Sequence, residues 1–595
     1  MTTAATERPA DDPRVAHDAT GLLRDLNVAG VLDAADVHVA RRLARLGGER
    51  DEQVLLAAAL CVRAVRGGSI CLELATVPDL DPRLADVDPA AWSDALAASP
   101  LTTAGVLRLD GGLLYLARYW REESDVVRDL TRRDATTPEV DDVALTAALT
   151  AYFPEQDAAD QRAAAEVACR RWTSVVTGGP GTGKTTTIAR LLGVLFSLPG
   201  GDDLRVALAA PTGKASARMS QALREATEHP TFPGHDGDDP AARARRDRIR
   251  GLEAGTLHRL LGWRPDSATR FLHHRANPLP YDVVVVDETS MVSLTLMARL
   301  LEALRPGARL VLVGDADQLA SVEAGAVLGD VVSGWTGGPV TTLGPPRRFG
   351  PHIRALAEAI QAGDSEAVLG LVDEGRGREG DEDGWVLRAE PPDLDDLLRR
   401  QVVATYDAAV AGDVRSMLAS FEAHRLLCAH REGPAGVAHW NRHVERLLMD
   451  ATHQEWLDTW YAGRPFLVNS NDRGLGLWNG DTGVTMPRDP ASGRPLVGVV
   501  GDQAREPRLF PTTRLADVST AHAMTVHRAQ GSQFAEVTVL LPEPDSRILT
   551  RELFYTAVTR ATSVVRVVGS DDAIRAAVTR RAQRATGLAT RLTTP

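Results

Sequence analysis

Residues 174–187 read SVVTGGPGTGKTTT, which sets Gly178, Gly183, Lys184 and Thr185 at the spacing G-x-x-x-x-G-K-[ST]. That spacing suits a phosphate cradle. Successive backbone N–H groups and a helix N-terminus make a nest for anionic oxygen. Lys184 is expected to reach the β- and γ-phosphates of ATP, and the Thr185 hydroxyl to hold Mg²⁺. Gly178, Gly179, Pro180, Gly181, Thr182, Gly183 and Thr186 complete the nucleotide-binding run. The loop implies that a nucleoside triphosphate is bound and hydrolysed. It leaves open what the hydrolysis drives.

Two carboxylates follow about a hundred residues later, in YDVVVVDETS (281–290). Four consecutive valines read as a buried parallel strand. Asp287 at its tip suits the Mg²⁺ shell, and Glu288 is placed to act as general base on the attacking water. A further strand, ARLVLVGDADQL, ends in Asp315, Asp317 and Gln318. Gln318 can hydrogen-bond a γ-phosphate and report its loss, or serve as a turn residue. Gln161, upstream of the P-loop, carries an amide able to read donor and acceptor on adenine. It also fits a solvated helix position.

The elements that must carry these groups alternate. SVVT precedes TTTIARLLGVLF, VALAAP precedes GKASARMSQAL, DVVVVDE precedes LTLMARLLEAL, and VTVLLP and VVRVVG close the series. Strand–helix alternation of this kind predicts α/β domains with parallel sheets. Residues 1–20 read as a loose tail. Residues about 21–130 read as mainly helical, with LDGGLLYLARYW predicting a hairpin followed by a helix. Residues 229–250 predict a surface loop and a charged helix, and 373–384 a solvated loop. Residues 463–515 hold short strands around Gly and Pro, which predicts a small all-β insertion.

Composition sets the outer bounds. A chain of 595 residues exceeds one core and suggests three or four domains. No apolar run approaches the roughly 18–20 residues of a membrane span. The first residues have no apolar stretch of a secretory signal, so a cytoplasmic location is expected. Cys61, Cys71, Cys169 and Cys428 form no C-x-x-C pair and read as buried small hydrophobes. The net charge of −13 is awkward for a nucleic-acid binder. It excludes none, because a narrow channel can be basic inside an acidic protein.

The remaining motifs carry a resemblance. LAAPTGKASARM, GTLHRLLG, GDADQLASVEAGAVLGD, LLCAHREGPAGVAHWN, GRPFLVNSND with LGLWNGDTGV, AMTVHRAQGSQF and LFYTAVTRAT together resemble the superfamily 1 helicases of the RecD family, the alpha subunits of RecBCD (exodeoxyribonuclease V) helicase–nucleases. GGSICLEL at 67–74 is similar to that family as well. The resemblance spans nearly the whole chain. It implies a partner-docking helical domain at 21–135 and two RecA-like domains at 136–345 and 346–595, with ATP between the two. The insertion at 463–515 resembles the family's SH3-like subdomain. Arg560 would act as an arginine finger from the second domain, where its planar, permanent charge suits a γ-phosphate. Arg348 would be the family's second arginine; two prolines precede it, Arg347 competes for the role, and Phe349 favours Arg348.

The same resemblance implies single-stranded DNA contact by Pro211, Thr212, Lys214, Thr256, His258, Thr525 and His527. His258 and His527 fit equally as satisfied core histidines. Gln530 and Gly531 would link DNA contact to the ATP site. By resemblance the chain is a 5′→3′ motor on the 5′-ended strand, with RecB and RecC as partners. Its work would be double-strand break repair by homologous recombination and degradation of linear DNA. Two other classes compete: a scaffold with a vestigial ATPase, and an RNA-directed helicase. Intact Lys184, Asp287, Glu288, Gln318 and Arg560 argue against the first. No RNA-recognition motif supports the second. No carboxylate cluster in the C-terminal tail suggests a nuclease.

Overall fold

The computed structural model describes residues 8–9, 12–155, 158–235, 239–264, 267–335, 338–344, 350–375, 385–454, 459–472, 474–488, 495–501 and 506–593. The chain opens with helices Gly21–Val28, Ala34–Gly47, Glu52–Arg66 and Pro89–Ala98. Their apolar faces meet in one core that includes Leu26, Leu32, Leu60 and Trp92. Within the stretch read as a loose tail, Ala16 and Ala19 are buried, and Arg8 bonds Asp33 at 2.6 Å. The predicted hairpin is present as Leu107–Asp110 and Leu113–Leu116. A third strand, Leu72–Glu73 of GGSICLEL, pairs with it antiparallel. The helix Ala117–Asp134 then leaves that core. Val126 and Leu130 on it pack with Leu300 and Leu301 beside the first large sheet.

Two parallel sheets dominate the rest. The first has six strands, in the spatial order Val340–Thr342, Thr173–Thr177, Arg309–Gly314, Val283–Val286, Val206–Ala210 and Ala254–Thr256. Every pairing in it is parallel. Its central strands are buried on both faces, which is why they read as unbroken Val and Leu runs rather than alternating ones. The second sheet has five parallel strands, ordered Trp385–Arg388, Ala561–Val568, Phe534–Leu540, His424–Cys428 and Ala523–Thr525. The expected α/β class with parallel sheets is thus observed.

The β-insertion forms a separate antiparallel sheet of five strands: Arg508–Pro511, Pro495–Val500, Thr482–Arg488, Pro465–Val468 and Val518–Thr520. It interrupts the second parallel sheet between His424–Cys428 and Ala523–Thr525. The predicted charged helix is Pro240–Arg250. All four cysteines are free and buried. Among the described residues no helix is long and apolar enough to cross a membrane.

The last described residues return to the start of the chain. After the helix Asp571–Thr579, the Ala585 amide donates to Ser69 Oγ at 3.1 Å, and the Ile70 amide donates to Ala585 O at 3.0 Å. Gly587 N donates to Glu123 Oε2 at 3.0 Å. The helix Leu588–Thr593 packs on Ala117–Asp134 and Val327–Gly334. The C-terminus therefore straps the second sheet's body to both the first sheet and the N-terminal helices.

Candidate functional site

The strand Thr173–Thr177 is wholly buried and ends in the glycine-rich loop; the 14-residue helix Lys184–Ser197 starts at the lysine itself. Lys184 Nζ donates to the carbonyls of Gly178 and Gly179 at 2.6 and 2.9 Å. Among the described residues it forms no ion pair. A half-buried ammonium at a helix N-terminus with only neutral acceptors suits a polyanion. Thr182 Oγ1 closes the loop onto Gly179 O at 2.9 Å. Gln161 is buried, not solvated, and its Nε2 donates to Thr182 O at 3.2 Å. It braces the phosphate loop from the helix Ala159–Arg170.

Asp287 and Glu288 stand at the end of Val283–Val286, two strands from the P-loop strand. Burial pushes the Asp287 carboxyl up, and the charge of Glu288 adds to the push; Lys184 and Arg218 pull the other way. Adjacent carboxylates under mutual strain suit a divalent cation, which relieves both. Glu288 has φ +50°, the left-handed region, and shares that with His453 alone among described residues other than glycine. Strain of this kind costs on the order of 1–3 kcal/mol and collects at functional sites. The turn is held by Thr289 Oγ1, which donates to Val286 O at 3.0 Å. Thr185 is the second residue of the P-loop helix.

The third strand end is where the two large bodies meet. Asp315 is 2% exposed, and burial raises its carboxyl pKa. Gln318 Nε2 donates to its Oδ2 at 3.0 Å. Tyr555, on the helix Arg551–Val558 of the second body, donates to the same oxygen at 3.1 Å. Leu319 N donates to Thr556 Oγ1 at 2.8 Å, and Gln530 Nε2 donates to Leu319 O at 2.8 Å. The helix comes so close that a Cβ on Gly179 would stand 2.9 Å from the Tyr555 hydroxyl. A side chain at 179 would have to displace that hydroxyl.

Arg560 is 2% exposed. Its own body holds it: Nε donates to Thr556 O at 3.0 Å and Nη1 to Ser532 O at 3.3 Å. Burial works against its charge, while Glu288, Asp315 and Tyr555 favour it. A guanidinium from the second sheet thus faces the carboxylates of the first. Arg347 and Arg348 lie outside the described residues.

The proposed DNA contacts sit on strand ends of both sheets. Thr212, Thr256 and Thr525 each cap a helix, accepting from Ala215 N at 3.2 Å, Arg259 N at 3.2 Å and Arg528 N at 3.4 Å. Each cap uses a hydroxyl lone pair and leaves the hydroxyl proton for an outside acceptor. His258 is exposed, with its ring 5.9 Å from that of Phe271. His527 is half-buried. Desolvation lowers the pKa of His527, so it is a neutral donor near pH 7. Pro211, Thr212 and Lys214 surround Gly213, where an added Cβ would lie 3.0 Å from Trp478 Cγ of the β-insertion. The insertion therefore touches the first body at this loop.

Three residues here escaped the sequence reading. Tyr555 and Arg218 lie inside quoted motifs but have no motif role of their own; Arg218 Nη1 donates to Gly531 O at 3.3 Å, across the two bodies. Trp478, inside LGLWNGDTGV, likewise has no motif role of its own. One further signal lies in the basic residues. Of 67 Lys and Arg, only Lys184 and Lys214 are lysine. Both sit in the two phosphate-type loops.

Residues 28–115 match the family described as RecBCD enzyme subunit RecD, N-terminal domain; 161–324 match AAA domain, and 520–568 match UvrD-like helicase C-terminal domain. The chain is 52% identical to RecBCD enzyme subunit RecD of Mycolicibacterium smegmatis over 95% of this chain and 98% of that protein. It is 50% identical to that of Mycobacterium tuberculosis, covering 98% of each. The ATP-dependent RecD2 DNA helicase of Deinococcus radiodurans is 30% identical over 83% of this chain and 60% of its own length. A crystal structure of Bacteroides Pif1 bound to single-stranded DNA matches at 15% identity and a TM-score of 0.36, covering 66% of this chain and 88% of that one.

The split nucleotide site and the helicase-type C-terminal half define an ATP-hydrolysing helicase. The chain belongs to the RecD family of RecBCD enzyme subunits. Its role is that of an ATP-dependent helicase subunit in recombination and repair.

Proposed function

We propose that the chain is a 5′→3′ translocase on single-stranded DNA, driven by ATP with Mg²⁺ and assembled with RecB and RecC. The observation that supports it best is the clasp of Tyr555, Thr556 and Gln530 on the Asp315–Leu319 loop, which ties the second body to the ATP site of the first. We assign residues 136–345 and 346–595 to the two RecA-like domains, 21–135 to partner docking, and the insertion near 463–515 to an SH3-like subdomain.

In this reading Lys184 and the loop amides bind the triphosphate, with Gln161 bracing the loop. Thr185 and Asp287 hold Mg²⁺, which when bound neutralises phosphate charge. Glu288 takes the proton of the attacking water. Arg560, and Arg348 by the family resemblance, stabilise charge that grows on the γ-phosphoryl oxygens. Gln318 reports that change to Asp315 and Tyr555. Closure and opening of the two bodies then move DNA held by Thr212, Lys214 and Thr256 on one and Thr525 and His527 on the other.

Strand displacement tests this. The chain, alone and with RecB and RecC, is given duplexes with a 5′ or a 3′ single-stranded overhang. Unwinding from the 5′ overhang only, lost in Lys184→Gln, is expected. Unwinding from the 3′ overhang only would sink the polarity and keep the helicase.

A further inference from the structure

The loop from Asp315 to Gly325 starts at an ATP-site carboxylate, and the clasp of Tyr555, Thr556 and Gln530 holds it between Asp315 and Leu319. A different residue holds its far end. Arg584, in the C-terminal strap, donates through Nη1 to Glu323 O and to Gly325 O, both at 3.2 Å. That nitrogen carries two N–H groups, enough for both carbonyls. Ser321 Oγ donates to the same Glu323 carbonyl from within the loop at 2.7 Å. Gly325 N donates to the carbonyl of Gly68, just past the helix Glu52–Arg66, at 2.9 Å. The guanidinium packs on that glycine too. Gly68 has φ +93°, and a Cβ there would stand 3.0 Å from Arg584 Cζ.

The strap is itself anchored on the helix Arg551–Val558. Glu552 Oε2 accepts from Ala582 N at 2.8 Å, two residues before Arg584. One helix of the second body therefore grips the loop twice. Tyr555 and Thr556 take its start directly, and Glu552 takes its end through the strap. Burial works against the charge of Arg584, while Glu552 and Asp330 favour it. Beyond the first grip Val322 stands 75% exposed, and Glu323 is exposed as well. The charge of Glu323 acts on His258, and that of Arg584 on His527. The turn thus neighbours a proposed DNA contact on each body.

We propose that Arg584 is a positioning residue of the motor, which locks the far end of the Asp315–Gly325 loop to the strap and to Gly68 so that DNA contact near the turn moves the loop as one piece and reaches Asp315 and Gln318. This rests on the translocase reading above. A loop held at its start alone would let the turn yield without moving the ATP-site end. Through Gly68 the same lock gives the N-terminal helices a route to the ATP site.

The test follows ATP hydrolysis by the full chain during a titration with single-stranded DNA. Arg584 touches no group of the nucleotide site. In Arg584→Met, basal hydrolysis and the KM for ATP should stay within about twofold while the DNA-stimulated kcat falls about tenfold. Arg584→Lys keeps a cation that can donate to both carbonyls, and it should recover most of the loss. An unchanged stimulated rate in Arg584→Met overturns the proposal. Equal loss of basal and stimulated rates, not recovered by lysine, makes Arg584 a structural staple only and overturns it as well. Hydrogen exchange on the unaltered chain needs no variant. Single-stranded DNA should change the exchange of the Gly325, Ile70 and Ala585 amides together, and amides that do not respond overturn the proposal even if Arg584→Met fails to fold. An unaltered chain that DNA does not stimulate would instead sink the translocase reading itself.

Discussion

The Tyr555 hydroxyl of the second body and the Gln318 amide of the first donate to one oxygen, Asp315 Oδ2, at 3.1 and 3.0 Å. Burial, and then the charge of Asp315, hold the phenol well above its ordinary pKa, so it stays a donor at any working pH. The shared acceptor makes the two bodies report to each other. Tyr555→Phe removes one donor and leaves Asp315 with Gln318. A buried acceptor that loses a partner costs about 1–3 kcal/mol. The expected result is a loss of DNA stimulation of ATP hydrolysis by about tenfold, with basal hydrolysis within about twofold. Equal loss of both rates would show that Tyr555 serves the hydrolytic step itself rather than the coupling.

Lysine usage gives a second prediction. A chain that fills 65 of its 67 basic positions with arginine keeps lysine only at 184 and 214. Arginine is broader, planar and forked, and lysine is a compact point charge. Lys214 follows Gly213, against which Trp478 of the insertion lies. Lys214→Arg is expected to weaken DNA-stimulated ATPase by about fivefold to tenfold despite the preserved charge. Single-stranded DNA affinity and its salt slope, measured by fluorescence anisotropy, should change by less than the rate. If the arginine variant matches the original in rate, the restriction to lysine has another origin.

The sequence exposed what periodicity and short spacing encode. The P-loop, the Asp287–Glu288 pair and the two parallel sheets were legible because buried parallel strands leave valine runs that no surface element shares. The β-insertion was legible from glycine and proline punctuation. What joins the bodies was not. The bond from Tyr555 to Asp315 spans 240 positions, and that from Gly587 to Glu123 spans 464. No local pattern marks such partners. Gln161 was ambiguous for the same reason: its helix is amphipathic either way, and only the position of Thr182 in space decides that it braces the loop. The third strand from GGSICLEL was hidden because a two-residue strand has no period.

The C-terminal strap supplies a third prediction. Glu123 is wholly buried and accepts from Tyr115 Oη at 3.1 Å, Thr586 Oγ1 at 3.2 Å and Gly587 N at 3.0 Å, with Arg591 Nε 3.3 Å away. Glu123→Ala removes the acceptor shared by three donors, while Arg591 keeps Asp110 at 2.6 Å. Leaving buried donors unsatisfied costs about 1–3 kcal/mol each. Limited proteolysis should then cut near residues 580–593, where the original chain resists. Glu123→Gln keeps the shape and most acceptors and should cost less. A tail that stays protected in the alanine variant would mean that the Leu588–Thr593 helix holds without the polar anchor.

The same strap carries a pH dependence of determined sign. Asp330, on the helix Val327–Gly334, has its carboxyl pushed up to about 7, chiefly by burial, with Glu123 adding to the rise and Thr586 and Arg584 opposing it. The ordinary value is 3.8. Between these two values the folded chain holds a proton that the unfolded chain releases. Stability from this group is therefore fully present below the ordinary value and is lost as pH rises through about 7. Asp330→Asn has no proton to lose. It should melt like the original at about pH 4–5 and higher by a few degrees at about pH 8, a gain on the order of 1–3 kcal/mol. Melting curves of both forms across that range decide it. A constant difference at every pH would place the ionisation elsewhere, and a lower melting point for the variant at high pH would show that Arg584 stabilises the Asp330 carboxylate more than burial penalises it.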